Sequence, residues 1–127
     1  MLVRRLNVYS SVKLSRRMLS QQALNTYVLE YFYVPNILER RAPHRTKHLE
    51  YTIPFVESKT LLAGGALVPE NDPITRGQLV FRAPNSKVVE DFAKSDPYVV
   101  AGIITKWTVT EWKVVVGDEL FGKMWNK

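Results

Sequence analysis

Histidine and aspartate are the side chains that most readily share a proton, and this chain holds few arrangements that could use them. It has two histidines, His44 and His48, and no cysteine. His48 stands in a basic segment with Arg41 and Arg45. About fifty residues on comes Asp96-Pro97-Tyr98-Val99-Val100-Ala101-Gly102. An imidazole titrates near neutrality and can serve as general base or acid if a carboxylate orients it. Asp96, stiffened by Pro97, is the candidate orienter. The pair would resemble the base and orienter of a triad, with no serine or cysteine nucleophile evident. The bland alternative is a structural histidine bonded to a helix-capping aspartate.

Arg45 lies one helical turn before His48 and Arg41 one turn earlier, so each could clamp a carboxylate or phenolate. Each could equally be a solvated charge, and Arg45 could pair with Glu39 or Glu50. Tyr98 could lend its hydroxyl to a pocket or simply pack in the turn. His44 and His48 form an H-x-x-x-H pair, but no further ligand follows at a telling spacing, so no metal is assigned. No Gly-rich phosphate signature is present.

These residues need elements to position them. Thr26 to Val34, dense in β-branched and aromatic residues, reads as a strand that Pro35 ends. Asn36 caps a short helix through Arg41. Pro43 suits a first turn, so His44 to Val56 is the long helix. Arg45, His48 and Thr52 share one face of it, and Leu49, Ile53 and Val56 form an adjoining apolar stripe. Pro54 predicts a kink or an early end. Leu61 to Leu67 is a second strand, whose Gly64-Gly65 pair permits close packing of a helix or makes a pocket wall. Gly77 to Arg82 is a third strand. Asn85 or Ser86 caps a helix from Lys87 to Ser95, with Val88, Val89 and Phe92 inward, and Asp96-Pro97 closes it. Ile103 to Val116 is the last strand, with Trp107, Val109 and Glu111 on one face. Residues 118–127 read as a short helix or tail.

The order β-α-β-β-α-β predicts an α+β, ferredoxin-like split βαβ fold: a four-stranded antiparallel sheet with two helices on one face. The other face needs a cover, so a homodimer packed sheet to sheet is expected. Trp107, Trp112, Tyr31 and Tyr33 are assigned to the core or to that interface.

The totals narrow the function. A chain of 127 residues makes one domain. Residues 1–29 carry Arg4, Arg5, Lys13, Arg16 and Arg17 with no acid, while the remaining 98 hold 13 basic and 12 acidic side chains. The nearly neutral remainder lacks the charge footprint of a nucleic-acid binder. No apolar run is long enough for a membrane-spanning helix, so neither nucleic acid nor membrane insertion is expected. Residues 1–24, rich in Arg, Ser and Leu, have the composition of a mitochondrial transit peptide. Leu2, Leu6 and Tyr9 fall at helical spacing before Lys13 interrupts the stripe. Residues 25–127 are then the folded unit, with the mitochondrial matrix as its expected location.

From Thr26 to Val116 the chain resembles the YCII-related domain family of the dimeric α+β barrel superfamily. The likeness rests on Leu38-Glu39-Arg40-Arg41 with Arg45 and His48-Leu49, on Leu61-Leu62-Ala63-Gly64-Gly65, and on Asp96 to Gly102. Pro54 and the basic leader depart from the family pattern. The resemblance implies a small-molecule enzyme of lyase or hydrolase type, with His48 and Asp96 catalytic and Arg45, Arg41 and Tyr98 binding substrate. It implies no cofactor. The competing class is a non-catalytic ligand-binding or assembly module that keeps the same fold.

Overall fold

The computed structural model describes residues 23–117. The expected leader, apart from residues 23 and 24, and the expected short helix or tail at 118–127 lie outside the described residues. Strand β1 (Asn25–Tyr33) leads to a short helix α1 (Ile37–Arg41), a 3-10 turn at Ala42–His44 and helix α2 (Arg45–Glu57). Strands β2 (Leu61–Leu67) and β3 (Arg76–Ala83) follow, then helix α3 (Ser86–Ser95), a one-turn helix α4 (Pro97–Val100) and strand β4 (Ile104–Trp112). The sheet order is β2-β3-β1-β4 with every neighbouring pair antiparallel. That is the ferredoxin-like arrangement the element order implies.

Period-two alternation sorts the sheet residues. In β1, Tyr27, Leu29 and Tyr31 are buried, opposite Phe81, Leu79 and Gly77 of β3 and Glu111, Val109 and Trp107 of β4. Phe81 packs edge-on to Phe92 of α3 with ring centroids 4.9 Å apart, so this is the helix-covered face. Val28, Glu30 and Phe32 point the other way. On that second face Arg76 pairs with Glu30, and Lys106 lies over the Phe32 ring at 5.0 Å.

The two long helices meet the sheet differently. Helix α3 starts where the Asn85 side chain accepts the Val88 N–H and buries Val89, Phe92 and Ala93. Helix α2 buries no residue fully. Its contact with the core runs through two aromatic rings: Tyr51 donates to the Phe92 carbonyl at 2.8 Å, and Phe55 meets the Phe92 ring edge-on at 4.9 Å. Leu49, Ile53 and Val56 remain 46%, 50% and 53% exposed; Leu49 and Val56 line the space between this helix and the sheet. The helix also passes through Pro54 to Glu57 instead of stopping there. The Glu50 carbonyl, which a residue with an N–H would have engaged, belongs to an exposed turn that water can reach.

Smaller differences are local. Asn36 starts α1 through its backbone carbonyl, which accepts from Glu39 and Arg40, and makes no side-chain cap. The last strand ends at Trp112, short of Val116, and Trp112 is 42% exposed. It is therefore not a core residue. Among the described residues no helix is long and apolar enough to cross a membrane.

Candidate active site

Asp96 sits at the joint between α3 and α4. Its backbone is extended (φ −63°, ψ 128°), because a residue before proline avoids the helical region. The extended backbone frees its side chain to cap α4: Oδ1 accepts the Tyr98 N–H at 2.9 Å. The same oxygen lies 2.8 Å from His48 Nδ1 of α2. Oδ2 accepts the Tyr31 hydroxyl of β1 at 2.7 Å. A fully buried carboxylate thus collects three partners from three separate elements, which is how a buried acid is made tolerable.

These contacts set the histidine tautomer. Tyr31 and the Tyr98 N–H both donate to Asp96, which makes the aspartate an acceptor, so His48 Nδ1 is the donor. Nε2 then carries the lone pair. The His48 side chain is 14% exposed against 0% for Asp96, so the imidazole is the only member of the pair a solute can reach. The Tyr98 ring stacks on it, centroids 3.8 Å apart and planes within 6°. That contact and the Asp96 bond together hold the imidazole in one orientation. Burial, reinforced by the neighbouring Asp96 charge, pushes the Tyr31 phenol far above the usual tyrosine range. It stays a proton donor to Asp96 at any ordinary pH.

The imidazole opens onto a cavity of about 380 Å³ between α2 and the sheet. Arg41, Arg45 and Tyr33 also line it, with Leu49, Leu61 and Leu79 among its apolar walls. Gly64 and Gly65 belong to the wall as well. A Cβ on Gly65 would meet nothing within 4 Å, whereas one on Gly64 would press on Leu79 of the neighbouring strand at 3.0 Å, so the pair is a pocket wall whose close contact is with a strand and not with a helix. No ion pair joins Arg45 to Glu39 or Glu50 among the described residues. Within those residues no cluster of three His, Cys, Asp or Glu side chains could hold a metal ion.

All five candidate site residues therefore meet at one place: His48 and Asp96 in contact, Tyr98 against the imidazole, Arg41 and Arg45 on the cavity wall. Two contributors went unrecognised as site residues in the sequence, Tyr31 and Tyr33. Alternation in β1 puts both on the helix-covered face, where a phenol needs a polar partner or an opening. That signal was available. The Tyr33 ring crosses over Gly77, where any Cβ would collide with its hydroxyl.

The sequence matches the model of the YCII-related domain over residues 26–113. The chain belongs to this family. No curated protein matches it. Among solved structures it is similar to 5-chloro-2-hydroxyhydroquinone dehydrochlorinase (TftG) from Burkholderia phenoliruptrix AC1100, in complex with 2,5-dihydroxybenzoquinone. The match has 22% identity and a TM-score of 0.60, and covers 70% of this chain and 94% of that one. A dimeric ferredoxin-like protein from an uncultured marine organism matches at 16% identity and a TM-score of 0.46, covering 75% and 97%. At 22% identity the likeness to the dehydrochlorinase establishes the fold alone.

Proposed function

We propose that this YCII-related protein is a small-molecule enzyme of lyase or hydrolase type. His48 Nε2 moves a proton, Asp96 orients the imidazole, and Arg45 with Arg41 holds an anionic group of the substrate. The observation that carries this reading is the 2.8 Å contact between His48 and a sealed carboxylate, with the imidazole opening on a cavity. A merely structural histidine would need no such opening. Proton removal from a hydroxylated ring or from carbon beside a carbonyl requires this pair and nothing further. A cavity near 380 Å³ suits a molecule of that size. The dehydrochlorinase resembled in fold is named for such a ring, which adds support.

The test uses the full chain with 2,5-dihydroxybenzoquinone in a thermal-shift assay and 5-chloro-2-hydroxyhydroquinone in a chloride-release assay. The quinone is expected to raise Tm. His48→Gln should lower any turnover by about a hundredfold or more while Tm stays close to wild type. Undiminished turnover in that variant would remove the imidazole from the mechanism. A collapse of the fold would make His48 structural.

Two further parts of the reading rest on other features. A homodimer formed through the uncovered sheet face is supported by Val28, Phe32 and Trp112, which point away from the helices. A monomeric mass in sedimentation equilibrium would refute it. Import into mitochondria is supported by the acid-free basic leader. Unchanged localisation after deletion of residues 1–24 would refute that.

A further inference from the structure

Tyr98 lines the cavity, and its hydroxyl has no place in the hydrogen-bond network found among the described residues. The Tyr98 side chain is only 4% exposed, and its hydroxyl is buried with no partner that completes a hydrogen bond. Buried polar groups are largely satisfied, and an exception calls for an explanation, of which a catalytic role is one. The backbone of Tyr98 is already tied to Asp96 and its ring to His48, so the hydroxyl cannot swing away to find water.

Its surroundings are uniformly donor-rich. Arg41 and Arg45 both exert their charge on it, and Arg41 also acts on the Tyr33 hydroxyl. A guanidinium can only donate, so neither arginine competes for the phenolic proton. Burial raises both phenols above the ordinary tyrosine value, more than the arginines lower them, so both remain protonated donors. Among the described residues no carboxylate lines the cavity. The one nearby, Asp96, is turned toward Tyr31, His48 and its own cap. The only acceptor the dyad offers the cavity is His48 Nε2.

We infer that the Tyr98 hydroxyl, backed by Arg41 and Arg45, is an oxyanion site beside the base, and that the substrate is an enolisable carbonyl compound or its phenolic equivalent. This assignment rests on His48 acting as the base, as proposed above. The step balances without a co-reactant. The C–H bond breaks and its proton passes to His48 Nε2. The bonding pair becomes a new C=C bond, and the carbonyl π pair moves onto oxygen. That oxygen then accepts from Tyr98 and from a guanidinium. Donors placed where the charge appears are worth most in a water-poor cavity and need no rearrangement during the reaction. Tyr98 thereby becomes a residue of the chemistry and not packing alone.

The probe is 4-nitrophenol, a small ring whose oxygen mimics an enolate and whose phenolate alone absorbs in the visible. It is titrated against pH with and without the full-length protein. The bound phenol should ionise at a pH lower by about 1 to 3 units than the free phenol. Tyr98→Phe should abolish most of that displacement while Tm stays equal or rises, because an unsatisfied hydroxyl has been removed. A tyrosine with only a packing role would do the reverse, lowering Tm and leaving the displacement intact. Arg45→Gln should reduce the displacement. His48→Gln should retain it even though proton transfer is lost, which separates failure of this assignment from failure of the base. Absence of binding, an unshifted midpoint, or a displacement that survives in Tyr98→Phe or vanishes in His48→Gln would overturn the oxyanion site.

Discussion

Helices α2 and α3 lie on the same side of one sheet, yet only α3 behaves as part of the core. Val89, Phe92 and Ala93 of α3 are at most 1% exposed, whereas Leu49, Ile53 and Val56 of α2 are about half exposed. Helix α3 supplies cohesion. Helix α2 borders the cavity: Tyr51 and Phe55 rest on Phe92, while Leu49, Thr52 and Val56 line the space between helix and sheet. The lesson is that a cavity at a site need not be carved from a finished core. It can be left between a helix and the sheet beneath it, where the largest side chains of that helix pack on a neighbouring helix. The dyad spans this division: His48 comes from the loosely seated helix and Asp96 from the end of the tight one.

The largest effect expected from breaking this contrast is at the shared strut. Phe92→Ala should destabilise the fold by about 3–5 kcal/mol in urea unfolding, because Phe92 serves the core, Tyr51 and Phe55 at once. A cost below about 1 kcal/mol would show that α2 does not depend on it. Next comes Tyr31→Phe, which strands one oxygen of Asp96 and should cost about 1–3 kcal/mol. It also changes the response to alkali. Tyr31 keeps its proton in the folded chain above the pH where the unfolded chain loses it. Its contribution is therefore complete below about pH 10 and falls as pH rises beyond that. The variant should lose less stability between pH 9 and pH 11 than wild type, a range read by urea unfolding at each pH (buffered at about one-unit steps). An equal loss in both proteins would place the alkaline sensitivity elsewhere. The smallest effect belongs to the outer face of α2: Ile53→Ser should change stability by no more than about 0.5 kcal/mol. A larger loss that depends on protein concentration would mean that another chain covers this face.

Much of the architecture could be read residue by residue. Alternation marked β1 to within one residue of its ends, Asn85 marked the start of α3, and Asp96-Pro97 marked its end. Those signals are local: a strand face, a cap and a proline restriction act within a few residues of their source. The contacts of helix α2 were not legible, because two apolar patterns compete on it. The aliphatic series Leu49, Ile53, Val56 has the better spacing, but Tyr51 and Phe55 reach further and find Phe92. For Trp112 two places were open, core or sheet interface, and the register decides between them by turning it to the uncovered face.

The residues that could do chemistry were visible as types: an imidazole, a carboxylate before proline, two arginines one turn apart and a following tyrosine. The order of elements and the near-neutral charge of residues 30–127 were also open to reading, because composition and short-range pattern encode them. Only the tertiary structure brought Tyr31, His48 and Tyr98 onto one buried carboxylate, left the Tyr98 hydroxyl without a partner and opened the cavity before it. Those outcomes depend on where a helix docks after the chain has closed loops of 48 and 65 residues. Long-range docking of that kind is decided by the fit of a few large side chains, and no local pattern carries it.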